Sequence, residues 1–186
     1  MMKTLVVVSL IILPLWWIFL VLWQPGFVHV VAQNASPAID RALLYATRGA
    51  IQTEDIYFTR DEIAHLKDVW ALYSPVSISL NILAVGAWST LILAVIKKVK
   101  LVPLFRPSAK ILVGLLSVLF GCLLAFSFFF EKFHEFLFPQ GNWMFPADSM
   151  LITIFPETFW KLILFSIVSM LGLFAGLYWM LGTKHE

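Results

Sequence analysis

The chain has little charge, a single cysteine, and none of the short motifs that mark the common soluble enzyme classes. Only 13% of its 186 residues are charged and 61% are hydrophobic, whereas a soluble domain averages about 25% charged. That balance argues against a soluble fold and leaves one membrane bundle with no separate soluble domain. The lone Cys122 lies inside an apolar run, so no intramolecular disulfide can form and the thiol reads as inert packing. There is no HExxH, no glycine-rich phosphate loop and no GxSxG elbow, which removes the chemistries those motifs carry. No ionisable residue falls at the middle of an apolar run, which argues against a proton relay or ion path through the bilayer. The bases are spread over several loops, so nucleic acid is not an expected partner.

What the chain does have is four long apolar runs, about Leu5–Trp23, Tyr73–Ile96, Ile111–Phe130 and Thr158–Leu181. Each is close to the ~20 residues that a helix needs to cross the hydrocarbon core. Backbone polar groups in lipid must be satisfied within the segment, so the runs are expected to be helices. The expected fold is an all-α integral membrane protein, a single domain over residues 1–186 with four transmembrane helices. Lys3 before the first run resembles the start of a signal peptide. The run is longer than the usual apolar region of ~7–15 residues, however, and it ends in Trp23-Gln24-Pro25-Gly26 without a small-residue cleavage site, so it is read as an uncleaved span.

Orientation follows from the bases. Lys97, Lys98, Lys100, Arg106 and Lys110 lie between the second and third runs with no acid among them, Lys3 is at one terminus and Lys184 at the other. Positive-inside bias puts these three segments in the cytoplasm and residues 24–72 and 131–157 outside. All acids except Glu186 then lie outside: Asp40, Glu54, Asp55, Asp61, Glu62, Asp68, Glu131, Glu135, Asp148 and Glu157. The first outer segment is too long for a simple connection, and the second carries Phe133, Phe136, Phe138, Trp143, Phe145 and Phe155. Together they are expected to form an extracytoplasmic cap or to dip into the interface, where Trp and Tyr prefer to sit.

Thr59-Arg60-Asp61-Glu62 is a capping-box pattern, with Glu62 reaching back to Thr59. It predicts a short helix over about Arg60–Tyr73 whose face Ile63, Leu66, Val69 and Trp70 would lie along the bilayer surface, with the second span starting near Pro75. Pro139-Gln140-Gly141-Asn142 is a turn signal, and Pro156 suits the first turn of the fourth span. Ser77, Ser79, Asn81, Ser89 and Ser117 are mild polar positions that could join helices.

Candidate chemistry centres on His65 and His134, because histidine can take and return a proton near neutral pH. His65 has Asp61 four residues before it and Asp68 three after, and His134 has Glu131 three before, so a carboxylate could orient each ring. Against this stands the plain reading of an interfacial histidine as an amphipathic side chain with its tip in water. His29 and His185 are read in that plain way. A metal site is a further alternative: Glu62-x-x-His65 and Glu131-x-x-His134 share the spacing used by di-iron carboxylate bundles. Such bundles need further carboxylates, and Glu157 is the nearest candidate.

At these residues the sequence is similar to a known family. Thr59-Arg60-Asp61-Glu62-Ile63-Ala64-His65-Leu66-Lys67-Asp68-Val69 resembles the first outer motif of the bacterial lipoprotein intramolecular transacylases. Phe133-His134-Glu135-Xaa-Leu137-Phe138, Asn142-Trp143 and Leu151-Ile152-Thr153-Ile154-Phe155-Pro156-Glu157-Xaa-Phe159-Trp160 resemble the second. The resemblance implies four helices with an extracellular cap in the bacterial cytoplasmic membrane, with the site on its outer face. It implies an acyltransferase that moves the sn-2 acyl chain of a lipoprotein's diacylglyceryl group to the α-amine of its own N-terminal cysteine. The product is a lyso-form lipoprotein, and the matching positions make His65 and His134 catalytic. Orienting or substrate-contacting candidates are Asp68, Asp61, Glu131, Asn142, Trp143, Phe145, Asp148, Glu157 and Trp160. The expected partners are the lipid-modified N-terminus of lipoproteins and membrane lipid; the protein is expected to work as a monomer, with neither metal nor organic cofactor. The competing classes are a metal-dependent membrane enzyme and a non-catalytic membrane assembly protein.

Overall fold

The computed structural model describes residues 1–33, 36–50 and 55–183. Glu54, Lys184 and Glu186 of the charge pattern, and His185, lie outside the described residues. Among the described residues the chain forms helices and no strand: α1 (Met2–Leu22), α2 (Pro25–Ala32), α3 (Pro37–Arg48), α4 (Arg60–Ile96), α5 (Val102–Leu124), α6 (Phe126–Leu137), α7 (Met150–Ile154) and α8 (Glu157–Thr183). Four of them, α1, α4, α5 and α8, are long and apolar enough to cross a membrane.

Three boundaries differ from the sequence expectation. The surface helix before Pro75 and the second span are one helix, α4, of 37 residues with Pro75 inside it. Proline removes one backbone donor, and a long apolar helix tolerates that loss. The charged turns Arg60–Leu72 precede the apolar stretch, so His65 lies ahead of that stretch. The helix that carries the third apolar run already starts at Val102, ahead of Ile111, because Arg106 and Lys110 break the hydropathy without breaking the helix. It stops at Leu124; Ala125 takes φ −113° and ψ 41°, and α6 begins at Phe126. Uniform apolarity over 111–130 hides that break. The expectation for 24–58 contains no helix, yet α2 and α3 are there. The start and stop signals of α3 are in the sequence: the Ser36 hydroxyl accepts from the Ile39 N–H at 3.3 Å, Pro37 opens the helix and Gly49 closes it at φ 62°.

The chain divides into two compact units. The first comprises Met1–Leu20, Ile78–Gly121 and the chain from Phe165 on; the second comprises Val21–Ser77 and Cys122–Leu164. In the first unit, apolar helix faces meet, and polar and aromatic contacts join them. Trp16 Nε1 donates to Asn81 Oδ1 at 3.1 Å, so Asn81 does join helices, whereas Ser89 and Ser117 donate to their own helices at Val85 and Val113. Trp17 meets Phe174 edge-on at 5.8 Å, and the Arg106 guanidinium lies 5.7 Å from the Trp179 ring.

The second unit has its own core, in which α3 buries Ala38, Ile39, Ala42, Leu43, Tyr45 and Ala46 against Phe58, Ile63, Leu66, Leu151, Ile154 and Phe159. Asp55 anchors the chain ahead of α4: it accepts from the Tyr45 hydroxyl and from the Tyr57 N–H at 2.8 Å, with Arg41 Nε at 3.5 Å. Trp70 packs on Gly49, where a Cβ would stand 2.6 Å from the indole. The capping box forms as expected, with the Thr59 N–H donating to Glu62 Oε2 at 2.8 Å and the Glu62 N–H to Thr59 Oγ1 at 3.3 Å.

Candidate active site

The second unit holds a partly open cavity of about 440 Å³. His65 and His134 both line it, with Trp143, Phe145, Phe155 and Trp160 among the other walls. The chain brings the two histidines together from different elements. His65 lies on the second turn of α4, on the face that buries Glu62 and Leu66. His134 lies on the last turn of α6, one turn before Phe138.

The ring centroids are 6.4 Å apart and the planes differ by 29°, within the separation expected of two groups serving one substrate head group. Phe138, 4% exposed, packs against both rings, at 4.8 Å from His65 and 5.8 Å from His134. Phe145 lies 5.6 Å from His65; Trp143 and Phe130 lie 5.0 and 4.2 Å from His134. The two imidazoles are thus set in an aromatic wall that keeps bulk water away from much of each ring.

Their nitrogens differ. His134 Nδ1 is 2.7 Å from the Phe130 carbonyl oxygen. A carbonyl only accepts, so Nδ1 carries the proton and the neutral ring holds its lone pair at Nε2. His65 Nδ1 is buried and has no hydrogen-bond partner among the described residues. Burial pushes the His65 pKa down to about 4; His134 adds to the shift and Asp68 opposes it in part. Burial also holds His134 below its ordinary value, against the opposite pull of the Phe130 carbonyl. Both rings are therefore neutral at neutral pH and able to accept a proton or donate a hydrogen bond.

The other candidates divide. Trp143, Phe145, Trp160 and Glu157 line the cavity with the histidines. Glu157 is itself engaged, accepting from Ser127 Oγ at 2.6 Å and pairing with Lys161 at 2.8 Å; these hydrogen bonds, Lys161 first, hold its carboxyl below the usual range. Asp68 accepts from Gln140 Nε2 at 2.9 Å and from Asn142 Nδ2, so it influences His65 by its charge and not by gripping the ring. Asp61, Glu131 and Asp148 are exposed and do not line the cavity. Helical spacing had offered Asp61 and Glu131 as partners for the rings, but their side chains face outward, and a backbone carbonyl holds His134 instead.

Three features escape the sequence reading. Phe138 could have been found from its position one turn after His134. The Phe130 carbonyl follows from a ring lying back over the preceding turn. Glu62 goes beyond a cap: its Oε1 accepts from the Leu151 N–H at 2.8 Å, 89 positions along the chain. Both Glu62 oxygens are thus hydrogen-bonded, Oε2 from Thr59 and Oε1 from Leu151. Among the described residues no three His, Cys, Asp or Glu side chains converge as a metal site requires.

No curated protein and no solved structure matches the chain. Residues 5–160 do match the family described as lipoprotein intramolecular transacylase Lit. The matched stretch takes in both histidine motifs and every wall of the cavity except Ile163. On that match the chain belongs to the lipoprotein intramolecular transacylase family.

Proposed function

We propose that this protein moves the sn-2 acyl chain of a diacylglyceryl lipoprotein to the α-amine of the same molecule's N-terminal cysteine, by acid–base catalysis at His65 and His134. The observation that carries this reading is the pair of imidazoles, 6.4 Å apart, in the wall of one largely apolar cavity. The acyl chain would lie among Phe145, Phe155 and Trp160, and the ester carbonyl between the two rings.

The α-ammonium first loses a proton to water; its pKa of about 8 makes that easy. The neutral amine attacks the ester carbonyl, forming a C–N bond and an oxyanion. His134 Nε2, whose lone pair is set by the Nδ1–H bond to Phe130, takes the proton that the nitrogen must shed. His65 has no acceptor for a proton on Nδ1, so its neutral ring is best served by carrying the proton on Nε2, where it can donate to the oxyanion. Collapse breaks the glycerol C–O bond, and the proton on His134 passes to the departing oxygen. The products are an amide and a free glycerol hydroxyl. Donor and acceptor belong to one molecule, so folding it into a ring-like geometry supplies much of the rate, and aromatic walls limit competing hydrolysis.

The same reading makes the chain one membrane domain in the bacterial cytoplasmic membrane, working as a monomer with both termini inside. Residues 24–72 and 131–157 form the outer cap, and membrane lipid and the lipoprotein N-terminus are the partners. The basic cluster Lys97–Lys110 against the acids of the two outer segments supports that orientation. The expected test result is that mass spectrometry of lipoprotein N-termini finds lyso-form N-acyl species only in cells carrying this protein. Their presence in cells without it would defeat the proposal. For topology, cysteines at Ile56 (86% exposed) and Lys100 replace Cys122 as labels; outside reagent should reach only the first.

A further inference from the structure

We propose that Glu62 is a positioning residue: its buried carboxylate seats the start of α7, and so the Leu151–Phe155 wall of the cavity, against the turn of α4 that carries His65. The functional part of this inference rests on the two-histidine reading above.

Glu62 is 1% exposed. A capping-box glutamate normally works at the surface, because one bond to the N-cap is all that its task requires. A buried carboxylate is costly unless its oxygens are hydrogen-bonded. Here Oε2 takes the Thr59 N–H at 2.8 Å and the Thr59 hydroxyl at 2.9 Å, and Oε1 takes the Leu151 N–H at 2.8 Å. In the first turn of α7, Ser149 Oγ accepts the Ile152 N–H at 3.4 Å, and Glu62 satisfies the Leu151 N–H. That donor would otherwise be an orphan of the helix start.

The placement makes the bond matter for the site. His65 is three residues after Glu62, and Leu151, Ile152 and Phe155 share the cavity with it. Three residues beyond His65, Asp68 holds Gln140 and Asn142, and the next residue, Trp143, packs 5.0 Å from His134. His65 thus sits between two carboxylates, each fastening a different part of the second segment to one stretch of helix. Glu62, being buried, holds the stiffer of the two points.

The test uses the full-length protein in lipid nanodiscs with a synthetic diacylglyceryl lipopeptide, reading kcat, KM and amide exchange at Leu151. Glu62→Gln leaves one amide NH2 facing a donor, so one end of the clamp opens. Exchange at Leu151 should rise and kcat should fall about 10²-fold, as for a displacement near 1 Å, with KM little changed. Thr59→Val removes the capping hydroxyl but not the bond to Leu151, and it should keep most of kcat. Equal losses in Thr59→Val and Glu62→Gln would reduce Glu62 to a helix cap and overturn the proposal. So would normal kcat in Glu62→Gln despite fast exchange. Should Glu62→Gln not fold, Glu62→Asp replaces it: charged, but a methylene too short for Leu151, with the same expected losses. Full activity in His65→Ala and His134→Ala would defeat the two-histidine reading. Full activity in Glu62→Gln beside inactive histidine variants would defeat the clamp alone.

Discussion

The two units of this chain differ in where their prominent polar groups find partners. In the first, Ser9, Ser89, Ser108 and Ser117 donate to carbonyls four residues back in their own helices. In the second, Glu62, Asp55 and Asp68 accept from side chains or backbone of other segments. A bond back to the same helix does not specify that helix's neighbour, a task left there to contacts such as Trp16–Asn81. Satisfaction at a distance fixes which segment lies where, and the unit that uses it is the one holding the histidine pair.

The largest expected effect tests whether that second unit is a catalytic device. His65→Ala and His134→Ala should each lower acyl transfer by about 10²–10⁴-fold, read by mass spectrometry of the lipopeptide product, with the protein still folded. The double variant should be little worse than either single one, since paired groups acting as a unit are non-additive. Additive losses would mean the rings work independently. Chelators should leave the rate unchanged, and inhibition by them would favour a metal enzyme.

How far this contrast is legible in the sequence depends on the range of the interaction. The four spans, the capping box at Thr59 and both histidines can be read from local pattern, because hydropathy and helix-start chemistry act within a turn or two. The Leu124–Phe126 break cannot, since no residue on either side changes polarity. Nor can the bond from Glu62 to Leu151: at 89 positions' separation, nothing in either neighbourhood announces the other. Asp61 and Glu131 have the right spacing to the rings, but spacing does not tell which way a side chain faces.

A second prediction probes packing in the same unit. Phe138→Ala removes a buried ring that touches both imidazoles, and truncations of this kind cost about 3–5 kcal/mol. Thermal unfolding in nanodiscs should show a large drop, whereas Phe138→Leu should keep most of the stability and shift KM or kcat. An unaffected midpoint for the alanine variant would mean that the aromatic wall is not cooperative.

Acid should also separate the units. Unfolded, His65 binds a proton below its ordinary pKa of 6.5; folded, it does so only near 4. Between those values the unfolded state holds the extra proton, so stability falls as pH drops from 6.5 toward 4 and is unaffected by this ring above 6.5. His134 acts in the same direction. The unfolding midpoint, followed from pH 7 to pH 4.5, should fall, and less so in His65→Gln. An equal fall in that variant would place the acid sensitivity elsewhere.

The smallest expected effect lies in the first unit. Trp16→Phe removes the donor to Asn81, and interhelical hydrogen bonds in lipid contribute about 0.6 kcal/mol on average. A slightly lower midpoint with unchanged kcat is expected. A large loss of kcat would show that the first unit is more than an anchor.

The continuity of α4 has a mechanical consequence. One unbroken helix carries His65 and then enters its apolar stretch near Tyr73, eight residues later. At 1.5 Å per residue that is a spacer of about 12 Å. A loop could flex to follow its substrate, but a helix holds its cargo at a set height. On the proposed orientation the imidazole would stand about that far from the start of the apolar stretch, like a stylus on an arm. On the proposed function, bilayers of different acyl length would present the glycerol ester to that stylus at different heights, so the proposal makes membrane thickness a variable in the rate.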